Sequence, residues 1–135
     1  MTNEVIINAK STLALKFHGP EFDSKGVMQK YSVTITAPHF FSSVQVTRHP
    51  YETPPYDFFE EMNKEWKGWQ GLKVWDAMTG EYSMSASFKP TGLILLVADI
   101  NSQTSNTDWK STLALPIEPG QLDNYTEKIR NFFHR

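Results

Sequence analysis

TPPYDFFEEMNKEWKGWQGLKVW, residues 53–75, decides how the chain folds, because it joins an amphipathic helix to the start of a hairpin and carries three of the four tryptophans. Phe58, Phe59, Met62 and Trp66 recur at spacings of three and four. Asp57, Glu60, Glu61, Lys64, Glu65 and Lys67 fill the other faces, which makes a helix of about three turns. Thr53 stands where an N-cap belongs, Pro54 or Pro55 suits the first turn, and Gly68 suits a left-handed stop. A large aromatic side chain can bury ~150–250 Å². Trp66 and Trp75, on helical and strand beats, are therefore expected in the core, and Trp69, between two glycines, is expected at partial exposure.

Outward from this stretch the chain is extended. Residues 4–17 carry a β-branched run and then Leu13, Leu15 and Phe17 at alternate positions, enough for one or two strands that His18-Gly19-Pro20 should end. Tyr31, Val33, Ile35 and Ala37 alternate with polar residues, Pro38 interrupts, and a return strand follows over about 40–47. After Gly71, Leu72, Val74 and Trp75 lead to a turn at Thr79-Gly80 and back through Tyr82, Met84, Ala86 and Phe88. Residues 93–100 are apolar on both faces and so are expected centrally in a sheet covered on both sides. A polar loop is expected over 101–107, a last strand over 109–117, and a second amphipathic helix with Leu122, Tyr125, Ile129, Phe132 and Phe133 on one face. The expected fold is α+β: a largely antiparallel sheet of about six to eight strands, with one central and one C-terminal amphipathic helix on one face. KSTLAL occurs twice, at 10–15 and 110–115, but the flanks do not continue the match, so it reads as two similar strands and not as a repeat unit.

Length and composition fit one domain over residues 1–135, with 39% hydrophobic residues and enough chain to bury one core. Thirteen Lys+Arg against 15 Asp+Glu give a net charge of -2 without a basic stripe, so no nucleic-acid partner is expected. The absence of cysteine excludes disulfides, thiolate nucleophiles and zinc–thiolate sites, and fits a reducing compartment, the cytoplasm. The first residues lack signal-peptide character, and no apolar run approaches the ~20 residues that span a bilayer, so no membrane association is expected.

Catalytic chemistry is not signalled. His18, His39, His49 and His134 are scattered; His39 and His49 could meet across a turn, with Glu52 or Asp57 as the only local further ligands, which is thin for a metal site. Nucleophile motifs and phosphate loops are missing, and Glu60 and Glu61, as helix neighbours, point about 100° apart and do not make an acid–base pair. No catalytic residue, metal or cofactor is expected.

Trp66, Gly68, Trp69, Gly71 and Trp75 form a W-x-G-W-x-G-x-x-x-W run, and Gly92, Trp109 and the E-P-G-Q-L of Glu118, Pro119, Gly120, Gln121 and Leu122 follow. This pattern, over roughly the C-terminal sixty per cent of the chain, resembles a family of small bacterial domains without an assigned activity. More distantly it is similar to WapI-type immunity proteins, which neutralise a cognate toxin by binding it. Leu93-Ile94 departs from that likeness, where a His-Val pair would be usual, so any site built on that histidine is absent. The resemblance implies a non-enzymatic protein-binding domain with a toxin as partner. The expected contact residues are Asp57, Glu60, Glu61 and Glu65 on the acidic helix face, with Trp69 or Tyr51 as aromatic anchor. The alternative is a small-ligand or carbohydrate-binding module bounded by the aromatic connector and the His39/His49 loop.

Overall fold

A computed structural model of the chain describes residues 3–9, 12–102 and 108–134. The alternating segments become eight strands: β1 (Glu4–Ala9), β2 (Leu13–Phe22), β3 (Met28–Ala37), β4 (Phe40–Thr47), β5 (Leu72–Asp76), β6 (Tyr82–Phe88), β7 (Ile94–Asn101) and β8 (Lys110–Ile117). The two 3.6-period segments become α1 (Pro55–Lys64) and α2 (Leu122–Phe133). The α+β class, the antiparallel pairing and the two helices agree with the sequence reading. Of the loop expected over 101–107, residues 103–107 lie outside the described residues.

The single sheet is corrected to two. β1-β2-β3-β4 and β5-β6-β7-β8 are separate antiparallel meanders of four strands each, and α1 stands between them. The physical cause is the stiff linker HPYETPP and the helix it opens: they carry the chain away from β4, so β5 starts a new sheet. Four strands and a helix thus occur twice, and the neighbours repeat as well: α2 lies on β1 as α1 lies on β5, and β4 approaches β7 as β8 approaches β3. The two KSTLAL copies are not equivalent in this repeat, since their described parts fall in the second strand of the first unit and the fourth strand of the other.

Both sheets turn one apolar row inward. Val5, Ile7, Leu15, Phe17, Tyr31, Val33 and Ile35 from the first sheet meet Tyr82, Met84, Ile94, Leu96, Ile100 and Leu115 from the second in one core. The helices complete it with Phe58, Phe59 and Met62 from α1 and Leu122, Tyr125, Ile129, Phe132 and Phe133 from α2. At about 1.5–3 kcal/mol per buried side chain of this size, the apolar face of α2 far outweighs the Glu60–Arg130 ion pair that also links the helices, since partly exposed pairs are worth about 0–1 kcal/mol. In the middle of the core the Tyr31 and Tyr82 hydroxyls meet at 2.6 Å, one from each sheet. Phe17, Phe132, Phe133 and Trp75 ring this pair with tilted and edge-on contacts of 5.0–6.4 Å.

Three local expectations fail for identifiable reasons. Pro54, extended at φ -65° and ψ 145°, is the N-cap residue of α1, and Thr53 makes no cap bond: its carbonyl instead accepts the Trp75 indole N–H at 2.8 Å. Trp66 is 51% exposed because α1 stops at Lys64, before the next inward beat arrives. β2 does not end at His18-Gly19-Pro20; a bulge between His18 and Glu21, with Gly19 at φ 59°, absorbs the proline and lets pairing resume to Phe22.

β7 lies between β6 and β8 as expected, but only one of its faces is covered. Its other residues stand in rows across the sheet, Leu72–Ser87–Leu95–Pro116 and Val74–Ser85–Val97–Ala114, with Leu95 and Val97 half-buried and Leu72 and Val74 exposed.

Tyr31→Phe is expected to destabilise the chain by about 1–3 kcal/mol in urea denaturation, because it leaves the Tyr82 hydroxyl buried without its partner. Replacing both tyrosines by Phe should lose clearly less than the sum of the single changes; additive losses would show that the pair does not act as a unit.

Candidate functional site

Of the six residues singled out from the sequence, Glu61, Glu65 and Trp69 gather around one cation that sequence reading left aside, whereas Asp57, Glu60 and Tyr51 do not. Lys73 of β5 has its Nζ beside the Glu65 carboxylate, 3.9 Å from Glu61 and 5.2 Å above the Trp69 ring. It does so because Lys73 and Trp75 alternate with Leu72, Val74 and Asp76, which puts them on the side of the strand that α1 covers. Trp69 is half-buried, stacked edge-on against Phe88 at 5.3 Å, with its indole N–H directed to the Ala86 carbonyl at 3.4 Å. Gly68 and Gly71, at φ 133° and 78°, give the connector the conformation this packing requires, and a Cβ on Gly68 would touch the Phe88 ring.

The acidic face is therefore divided. Glu60 turns to α2, where Arg130 grips its Oε1 through Nε at 2.8 Å and through a terminal nitrogen. Glu61 and Glu65 are partly neutralised by Lys73, whereas Asp57 and Asp76 have no ion-pair partner among the described residues. Tyr51, 85% exposed, stands on the linker ahead of α1.

Between that linker, the first turn of α1 and β5 runs a groove made of two adjoining cavities. One, of about 290 Å³, is bounded by Thr53, Asp57, Phe58, Glu61, Lys73, Val74 and Trp75. The other, of about 380 Å³, is bounded by Tyr51, Glu52, Thr53, Val74, Trp75, Asp76 and Met78. Thr53, Val74 and Trp75 belong to both, so the two cavities adjoin. β5 is an edge strand, and Leu72 and Val74 are 67% and 65% exposed. Ala77 donates its N–H to the Tyr82 carbonyl across the hairpin, so by antiparallel alternation the backbone groups of Leu72, Val74 and Asp76 point to the open edge.

Two carboxylates that the sequence reading did not single out as contact residues are buried near the linker, and one of them, Glu52, lines the groove. Glu81 is buried, accepts the Thr79 hydroxyl and the Thr47 N–H at 3.3 Å, and so ties the hairpin turn to the end of β4. Glu52 is 8% exposed; its Oε2 accepts the Met78 N–H at 2.7 Å and its Oε1 is buried without a hydrogen-bond partner among the described residues. Burial raises the Glu52 pKa above the usual carboxylate range, Glu81 adds to the rise, and the Met78 N–H, Arg48 and His49 oppose it. A glutamate in a Pro-rich linker reads as solvated, so only the tertiary structure reveals this group.

Other arrangements carry less chemistry. His39 and His49 sit at opposite ends of β4 and do not meet; His49 stacks on Tyr51 at 5.6 Å. Among the described residues no three of His, Asp and Glu converge as metal ligands. His18 Nε2 contacts the Thr34 hydroxyl at 2.7 Å, which meets Ser43 at 2.8 Å, but Thr34 is buried beneath its neighbours, out of a substrate's reach. Exposed Trp66 borders a cleft of about 480 Å³ with Asn63, Pro119, Gly120 and Asp123. No helix among the described residues is long and apolar enough to cross a membrane.

Fold and groove together define a two-meander α+β domain with an acidic, partly apolar cleft beside an open sheet edge. The chain belongs to the family of unknown function DUF6228, whose model matches residues 6–135. No curated protein and no solved structure matches it.

The raised pKa of Glu52 has a signed consequence for stability. The folded chain holds this proton to higher pH than the unfolded chain does, so Glu52's contribution is fully present below the ordinary glutamate range. It is lost as pH rises through the raised value. Urea midpoints measured across that window should fall with pH, and Glu52→Gln should flatten the fall while raising stability at neutral pH; an unchanged profile would contradict it.

Proposed function

We propose that the chain is a non-enzymatic protein-binding domain that receives a basic partner surface along the groove between α1 and β5. The immunity-protein resemblance supplies the more specific reading, a bacterial cytoplasmic protein that neutralises a cognate toxin. The single observation that carries the proposal is the groove's composition: a floor of Phe58, Val74 and Trp75, a rim of Asp57, Glu61 and Asp76, and exposed Tyr51, Leu72 and Met78 around it. Apolar anchors inside a charged rim suit a protein interface, and an acidic rim speeds encounter with a basic partner. Glu60 serves the α1–α2 contact instead, since reversing its charge would set two cations together at Arg130.

A second reading has one specific observation behind it. An exposed indole beside the amide of Asn63 and the carboxylate of Asp123 is a combination that can stack on and hydrogen-bond a sugar ring. Titrating short oligosaccharides while following tryptophan fluorescence, with Trp66→Ala as control, checks it; a response retained by the variant counts against it.

Co-expression with the product of the neighbouring gene, followed by co-purification and growth assays, tests the main proposal. Asp57→Lys with Asp76→Lys should weaken the complex and remove protection, whereas Lys128→Glu, on the exposed side of α2, should leave both intact. Full binding by the double variant would show that the partner docks elsewhere.

A further inference from the structure

The linker end of the groove holds a carboxylate that the folded chain does not satisfy. Glu52 bounds the cavity of about 380 Å³, and its enclosed Oε1 has no partner among the described residues although its Oε2 is held by the Met78 N–H at 2.7 Å. Such a group is rare, because a buried oxygen without a hydrogen bond is penalised for its lost water. Two independent constraints fix it in place. The bond to Met78 secures one oxygen, and the Trp75 indole, donating to the Thr53 carbonyl at 2.8 Å, secures the backbone directly after it.

No cation of the chain pairs with Glu52 in an ion pair among the described residues. Arg48, which electrostatically favours its charged form, has its guanidinium over the Phe133 ring at 5.2 Å. The cavity's remaining lining is the Tyr51 and Trp75 rings, the apolar side chains of Val74 and Met78, Thr53, and the carboxylate of Asp76 at the exposed side. Aromatic faces and apolar walls accept the methylene stem of a long basic side chain, and the two carboxylates accept its head while repelling anions.

We propose that this cavity is the receptor for one cationic side chain, arginine or lysine, of the protein partner, with Glu52 as its buried counter-ion and Asp76 as the outer one. The inference rests on the protein-binding reading of the groove and names the chemistry that the groove selects. Val74 lines the cavity and exposed Leu72 continues the edge beyond it, so a single side chain fills its end and the rest of the partner covers the edge strand. Docking of the cation favours the carboxylate form of Glu52, opposite in sign to the effect of its burial. The groups that face this change are Arg48 and His49 on the linker side, Glu81 in the hairpin turn, Tyr31 of β3 and Tyr82 of β6.

The test uses the full chain and three capped tripeptides, Gly-Arg-Gly, Gly-Lys-Gly and Gly-citrulline-Gly, titrated while the Trp75 indole N–H signal is followed by NMR, with Trp75→Phe for its assignment. The arginine or lysine peptide should shift that signal saturably in the millimolar range, and the citrulline peptide, isosteric but neutral, should not. Glu52→Gln should weaken the response about tenfold, the factor carried by one charge-assisted hydrogen bond. In the wild-type chain, which sidesteps any folding defect of the variant, the Glu52 carboxyl resonance should titrate at lower pH when the cationic peptide is present. An equal response to citrulline, an undiminished response in Glu52→Gln, or an unmoved Glu52 titration each overturns the inference. The outcomes separate from those of the docking proposal: a partner that needs Asp57 and Asp76 but ignores Glu52→Gln removes the receptor and keeps the groove, whereas peptide binding without any effect of the groove variants on the partner does the reverse.

Discussion

The hydroxyl pair of Tyr31 and Tyr82 is the constraint around which the two sheets are arranged. Each phenol is fully buried, and burial alone pushes both pKa values upward, so neither ionises in the folded chain under ordinary conditions. Two buried hydroxyls can satisfy each other only in one relative placement of their strands, which a purely apolar contact would not demand. That placement sets β3 against the start of β6, and Phe132 and Phe133 of α2 close over it. The buried carboxylates reinforce the same seam, since Glu81 reaches from the hairpin turn to Thr47 and Glu52 from the linker to Met78. The groove lies beside this seam, so its geometry is inherited from the pairing of the two meanders.

Much of the fold was legible in the sequence because its signals are local. Period-2 rows gave the strands, and the spacing of Phe58, Phe59 and Met62 and of Leu122, Tyr125, Ile129, Phe132 and Phe133 gave the helices with their buried faces. What was not legible is long-range. Nothing in the alternation of β4 or β5 says whether they pair, so the division into two sheets was hidden, as was the uncovered face of β7, whose Leu95 and Val97 look like core in one dimension. Trp66 misled for a related reason: its spacing continues the inward stripe, but α1 ends one residue before Glu65.

The residues of the W-x-G-W-x-G and E-P-G-Q-L motifs also acquire physical roles, and these are structural. The side chains of Glu118 and Gln121 exchange bonds with each other's backbone in a capping box around Pro119–Gln121, which turns the chain from β8 into α2 and seats Leu122 in the core. Gly68, Trp69 and Gly71 shape the connector against Phe88, and Gly92 at φ 89° closes the turn between β6 and β7. Among the candidate contact residues, Asp57 and Glu61 line one cavity and Tyr51 the adjoining one, and the ion-pair partners of Glu60 and Glu65 are Arg130 and Lys73, which no local pattern shows.

An exposed edge strand beside an apolar groove is a liability that a stable domain must manage. β5 is the shortest strand, it carries the inward charge of Lys73, and its exposed row ends in Asp76, three devices that discourage indiscriminate strand pairing. A surface meant only to stay inert would need no more than these. Here the same short strand also borders two adjoining cavities, with Asp57 on the rim and, at the end, a buried Glu52 whose Oε1 has no partner among the described residues; these two features do nothing to protect the edge, and the lost hydration of the buried oxygen works against stability. Strain of this kind persists where it is relieved by something that binds. The protective features discourage a neutral strand, and the acidic ones match the charge of the cationic partner proposed above.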